Sequence, residues 1–181
     1  MVAGGTFAPG NPTGTLTIGA DLNFDAANLQ FALGSGSASA AVAGNLSLAG
    51  SLSISNAPAF GAGTYTLFTY SGALTMGNLT VVSAPAGFDY IINTNKAGQI
   101  NLTVTLPQFN AINTGTDGLV MSGSGGPADG NYCVLGSTNV ALPLNLWTRI
   151  ATNQFDSSGN FNFTNAASPD SPQEFYRLEL P

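Results

Sequence analysis

Asn45-Leu46-Ser47-Leu48-Ala49-Gly50-Ser51-Leu52-Ser53-Ile54 decides the fold class. Apolar and small polar side chains alternate along it, which puts Leu and Ile on one face of an extended strand and Ser and Asn on the other. A surface helix would instead repeat its apolar residues at three- and four-residue spacing. The alternation recurs in Thr15-Leu16-Thr17-Ile18, in Thr64-Tyr65-Thr66-Leu67-Phe68 and in Gln99-Ile100-Asn101-Leu102-Thr103-Val104. The one competing helical stretch, 25–33, is short and stops at Gly34-Ser35-Gly36. The chain reads as all-β.

Working outward, residues 1–106 repeat a small cell: Gly14-Thr15-Leu16, Gly44-Asn45-Leu46, Gly50-Ser51-Leu52, Gly72-Ala73-Leu74 and Gly77-Asn78-Leu79. Glycine turns a corner and leucine points into a stack of leucines from neighbouring turns. That is how a β-solenoid is written, each coil burying its apolar row against the next. The spacing is irregular, and an antiparallel sandwich alternates in the same way, so spacing alone leaves both open. Residues 107–115, which begin with Pro107, read as a linker. Residues 116–181 carry strand-like stretches at 118–121, 132–135, 146–150, 161–164 and 175–180, separated by turns such as Asp129-Gly130 and Asp156-Ser157-Ser158-Gly159. Such a series suits a small Ig- or fibronectin-III-like sandwich. It holds the only Trp, both Arg and two of the five Tyr, so an aromatic core is expected there.

Composition excludes several chemistries. The 181 residues include 3 Lys+Arg, 9 Asp+Glu, no His and one Cys, with a net charge of −6. Without His, neither a Ser-His-Asp nor a Cys-His catalytic set can be assembled, and no ordinary zinc site. Lys96, Arg149 and Arg177 are too few to neutralise a phosphate backbone, so nucleic acid is not an expected partner. A lone Cys133 gives no disulfide framework. No run of 18 apolar residues exists to cross a bilayer as a helix. A surface made from Asn, Thr, Ser and Gly suits an extracellular chain. Met1 followed by Val2-Ala3-Gly4-Gly5 reads as a start made inside a longer protein.

The opening Gly4-Gly5-Thr6-Phe7-Ala8-Pro9-Gly10-Asn11-Pro12-Thr13-Gly14-Thr15-Leu16-Thr17-Ile18 resembles the phrase that follows autotransporter-associated β-strand repeats in passenger regions of surface proteins. Leu29-Gln30-Phe31-Ala32-Leu33-Gly34, the stretch from Val42 through Leu52, and Gly63-Thr64-Tyr65-Thr66-Leu67-Phe68-Thr69-Tyr70-Ser71-Gly72 resemble that family's continuation in the same order. Tyr132 to Asn139, Trp147 to Thr152, Phe155 to Phe161 and Phe175 to Pro181 resemble a short domain that ends large secreted proteins of Verrucomicrobia-like bacteria. Cys133 departs from that pattern. The resemblance implies a secreted or cell-surface, β-helical stalk with a terminal β-sandwich and no catalytic residues. The expected form is the last coils of a right-handed parallel β-helix over 1–106, followed by the sandwich over 116–181.

Candidate sites are few. Asp21 and Asp25 are close enough in sequence to work as an acid–base pair, but they read more simply as polar residues flanking a strand. Asp117-Gly118, Asp129-Gly130 and the Asp156–Asn160 loop supply oxygens of the kind calcium needs, yet match no calcium motif and read as hairpin turns. Trp147 or Tyr132 would serve as a platform for a sugar ring, although the only Trp of a small sandwich is expected in its core. Asn45, Asn78, Asn101 and Asn162 head glycosylation sequons that composition alone explains. No catalytic, cofactor or metal residue is assigned. The partners expected are a second copy or a neighbouring surface protein, because a solenoid end exposes unpaired strand edges, with residues 107–181 as a cap. A polysaccharide is the second partner, and a carbohydrate-binding module the alternative function.

Overall fold

The computed structural model describes residues 2–10, 12–166 and 173–180. They divide into two units, Met1–Pro85 with Tyr90–Val104, and Ala86–Asp89 with Thr105–Pro181. The secondary structure is almost wholly strand, as the alternation requires.

The first unit contains β1 (Val2–Ala3), β2 (Thr6–Phe7), β3 (Gly14–Ile18), β4 (Leu22–Asp25), β5 (Ala27–Leu33), β6 (Ala38–Val42), β7 (Leu46–Asn56), β8 (Gly63–Tyr70), β9 (Leu74–Ser83), β10 (Asp89–Asn93) and β11 (Gln99–Thr105). The stretch with a faint helical reading, 25–33, is mostly β5, whose burial alternates strictly. Partner strands run parallel: Val2 lies beside Phe24, Leu22 beside Leu46, and Leu46 beside Leu74, offsets of 22, 24 and 28 residues. One sheet collects β1, β4, β7, β5, β2 and β9; the other runs β10-β11-β8-β6-β3. In the second sheet β3, β6 and β8 are parallel, but β11 joins β8 antiparallel, so the parallel series on that side ends there.

Parallel register turns the alternation of each strand into columns across strands. Leu29, Leu52 and Val81 align inward, as do Ala40 and Phe68, while Asn28, Ser51 and Thr80 align outward; Leu16, beside Ala40 on the edge strand β3, stays exposed. Phe24, Leu29, Phe31, Leu33, Leu48, Leu52, Phe68, Ile100 and Leu102 are at most 1% exposed, which makes this row the core. Phe68 from the second sheet meets Phe31, Phe7 and Phe24 from the first, at centroid distances of 5.3, 6.1 and 6.5 Å. Outside, hydroxyls satisfy one another: Thr15 and Ser39 are 2.8 Å apart, and Ser53 donates to Asn28 Oδ1 at 3.4 Å.

The second unit holds β12 (Gln108–Gly115), β13 (Gly118–Ser124), β14 (Asn131–Ser137), a single 3-10 turn at Leu144–Leu146, β15 (Thr148–Gln154), β16 (Phe161–Asn165) and β17 (Phe175–Glu179). Residues 107–115, expected as a linker, form β12. Asp117-Gly118 closes a hairpin that pairs Gln108 with Ser124 and Gly115 with Gly118, so Pro107 marks the entry to a strand rather than a spacer. Two antiparallel sheets result, β12-β13-β16 and β15-β14-β17. Tyr132 and Val134 from one sheet, Phe161 from the other, and Phe155 from the loop between β15 and β16 share one core, with Phe109, Phe163, Tyr176 and Leu178 against it. Its aromatic character is as expected; Trp147 is not part of it.

Candidate functional site

Asp21 stands at a corner where the backbone near residues 21, 45 and 73 lies side by side. Its carboxylate accepts the Asn45 backbone N–H at 2.7 Å and the Asn45 side-chain amide at 3.2 Å, and Asn45 Oδ1 in turn accepts the Ala73 N–H at 2.8 Å. The backbone continues the ladder, with Leu22 N–H donating to Asn45 C=O and Leu46 N–H to Ala73 C=O, both at 2.9 Å. Gly44 lies so close that a Cβ there would stand 2.8 Å from the Asp21 nitrogen and collide with its carboxylate.

Hydrogen bonds from Asn45 hold the Asp21 carboxyl below its ordinary 3.8. Because the folded value is the lower one, the stabilisation is complete above that pH and is lost as pH falls through the folded value. A carbon-detected NMR titration is expected to place the Asp21 midpoint below 3.8. Asn45→Ala should return it toward that value; an unchanged midpoint in the variant would contradict the ladder.

Asp25 is exposed at the end of β4, and the Asp21 carboxylate is committed to Asn45, so the two are placed as structural and surface groups. Asp156 is likewise a staple: its Oδ1 accepts the N–H groups of Ser158 and Asn160, both at 2.8 Å, and its Oδ2 accepts the Asn160 amide at 3.1 Å. Those bonds, led by Asn160, lower its pKa. Asp129 takes a positive φ of 55° in its turn. Among the described residues, no three His, Cys, Asp or Glu side chains gather as a metal site.

Tyr132 is a core residue, 1% exposed, and offers no sugar platform. Trp147 lies half-buried just after the 3-10 turn, its indole N–H donating to Leu142 C=O at 3.0 Å. The expectation of a core Trp fails because β15 begins one residue later, so strand alternation does not govern its side chain. Cys133 is buried and free, beside the Thr152 hydroxyl at 3.6 Å. Of the sequons, Asn101 is buried and accepts the Thr66 hydroxyl at 2.8 Å, and Asn45 belongs to the corner ladder.

Two concavities in the second unit have not been named by any sequence motif. One, of about 630 Å³, has mixed walls, with Leu106, Phe109, Leu135 and Leu178 beside Gln108, Arg177 and Glu179. The other, of about 480 Å³, is polar: Asn110, Ser122, Gln154, Asp156, Asn160 and Asn162 surround Phe155 and Phe161. Its residues come from β12, β13, β15, β16 and one loop, which is why reading along the chain does not assemble it.

The chain resembles an adhesin. The similarity is to the adhesin BmaC autotransporter of Brucella suis biovar 1 (strain 1330), at 38% identity over 121 residues, covering 61% of this chain and 4% of the Brucella protein. The chain therefore corresponds to a small part of that adhesin's length. No protein-family model matches the chain, and no solved structure matches it. The adhesin similarity agrees with the autotransporter part of the sequence resemblance. Among the described residues no helix is long and apolar enough to cross a membrane.

Proposed function

We propose that this chain is a non-enzymatic extracellular module of a bacterial surface protein, serving adhesion as the terminal part of a stalk. In this reading the first unit is the last turns of a parallel β-helix. Antiparallel pairing of β11 with β8 stops its propagation, and the second unit is an Ig-like sandwich of the kind that ends secreted Verrucomicrobia-type proteins. The observation that carries the proposal is the parallel register, in which residues 22 to 28 positions apart sit side by side and stack aliphatic columns inward.

Such a stack advances about 4.8 Å for each strand added, so chain length converts directly into reach. Stability is then approximately a sum over neighbouring turns, which lets a stalk be long without a large single core. Similarity to a Brucella autotransporter adhesin supports the surface setting. The scarcity of charge, 7% of residues, agrees with a surface built from hydroxyls and amides.

Antibody raised against this chain tests the setting on bacteria that produce the native protein. Intact cells are expected to stain, and brief external protease should remove the signal. Staining that appears only after permeabilisation would refute the assignment.

A further inference from the structure

We infer that the polar basin on the β12-β13-β16 sheet binds an uncharged saccharide through the sugar's hydroxyl groups. This goes beyond the stalk reading and does not depend on it. The sheet itself builds the basin. Along β16, Phe161 and Phe163 turn into the core while Asn162 points outward, and Ser122 on β13 stands opposite Asn162 in the ladder. A register shift between Phe109 and Ala111 takes Asn110 out of regular pairing on β12. Gln154 at the end of β15, with Asp156 and Asn160 from the following loop, completes the rim.

The chemistry follows from which atoms are already engaged. Asn110 donates its amide to Ser124 Oγ at 2.8 Å, Gln154 donates to Asp129 C=O at 2.6 Å, and Asn160 donates to Asp156 Oδ2 at 3.1 Å. Each bond fixes an amide by its nitrogen and leaves its carbonyl oxygen as an acceptor. The side chains of Asn162 and Ser122 make no hydrogen bond among the described residues, so they can donate as well as accept. A preorganised site with surplus acceptors calls for a ligand rich in O–H donors.

Charge narrows the class further. No Lys or Arg lines the basin, so nothing there attracts sulfate, phosphate or uronate groups. Its single carboxylate, Asp156, already accepts three hydrogen bonds. A neutral polyol fits this balance, held by hydrogen bonds at the rim, since the Phe155 and Phe161 rings beneath are buried in the core.

The test is affinity electrophoresis of the full chain in gels containing neutral glucan, mannan or galactan, with sulfated and uronate polymers as charged controls. At least one neutral polymer is expected to retard the protein, with the same retardation at low and high salt. Asn162→Ala and Ser122→Ala should each weaken it roughly fivefold, the loss of about one hydrogen bond, with far-UV circular dichroism unchanged. Trp147→Ala should leave it unaltered. The inference is overturned if no neutral polymer retards the chain, if retardation requires added calcium, or if Trp147→Ala abolishes it while Asn162→Ala and Ser122→Ala do not. None of those results bears on surface exposure of the stalk, which the antibody experiment reads separately.

Discussion

Phe68→Ala is expected to destabilise the first unit by about 3–5 kcal/mol. The side chain is fully buried and is the one ring of the second sheet that touches three rings of the first, Phe7, Phe24 and Phe31. Those three come from different strands, β2, β4 and β5, each fixed by its own parallel ladder. They cannot all move inward to fill a void without breaking backbone pairing. The neighbours of Phe68 in its own column offer little relief, since Ala40 is small and Ile100 is fixed by antiparallel pairing. The loss therefore includes both the transfer of the ring and an uncollapsed cavity. Phe68→Leu keeps most of the volume and should cost about 1.5 kcal/mol or less. Urea denaturation followed by far-UV circular dichroism measures both; a loss under about 1 kcal/mol for the alanine variant would mean that the two sheets do not share this core.

Much of the first unit was legible because burial on one side of a strand leaves a period-two trace in the sequence. Leu46, Leu48, Leu52 and Ile54 are buried as the alternation requires, and Ser47, Ser51 and Ser53 lie less buried between them. The spacing of the Gly-x-Leu cells looked irregular for a physical reason. Gly44 and Gly72 mark one corner, where the Gly72 N–H donates to the Gly44 C=O, while Gly50 marks a bend within β7. One cell thus serves two kinds of position, a corner between strands and a bend within one, so its recurrence is uneven. Pro107 misled because proline suits the start of an edge strand as well as a linker. The polar basin left no trace, since Asn110, Ser122 and Asn162 are adjacent only after β12, β13 and β16 pair. Asn162 heads a sequon, which says nothing of its neighbours in the sheet.

Gly50→Ala tests the parallel register most directly, and is expected to cost about 3–5 kcal/mol despite adding one methyl group. β7 runs beside two shorter strands, pairing Leu46 with Leu22 of β4 and then Gly50 with Ala27 of β5. Between them Ala26 takes a φ of 55°, which breaks the partner strand, and β7 follows the bend with a φ of 134° at Gly50. That conformation is open to glycine and strained for other residues, at about 1–3 kcal/mol. Space forbids the methyl as well: a Cβ would stand 2.7 Å from the Ala27 nitrogen and collide with its carbonyl oxygen. Relief requires β5 and β7 to separate at the bend, which exposes ladder groups worth about 1 kcal/mol each. Leu29 and Leu52 pair immediately beyond and are fully buried, so the separation would open the core too. Gly61→Ala is the matched control, because a Cβ there meets nothing within 4 Å, and its midpoint in urea should stay nearly unchanged. Were Gly50→Ala and Gly61→Ala to unfold alike, residue 50 would not lie against Ala27, and the side-by-side placement of residues 23 positions apart would be wrong.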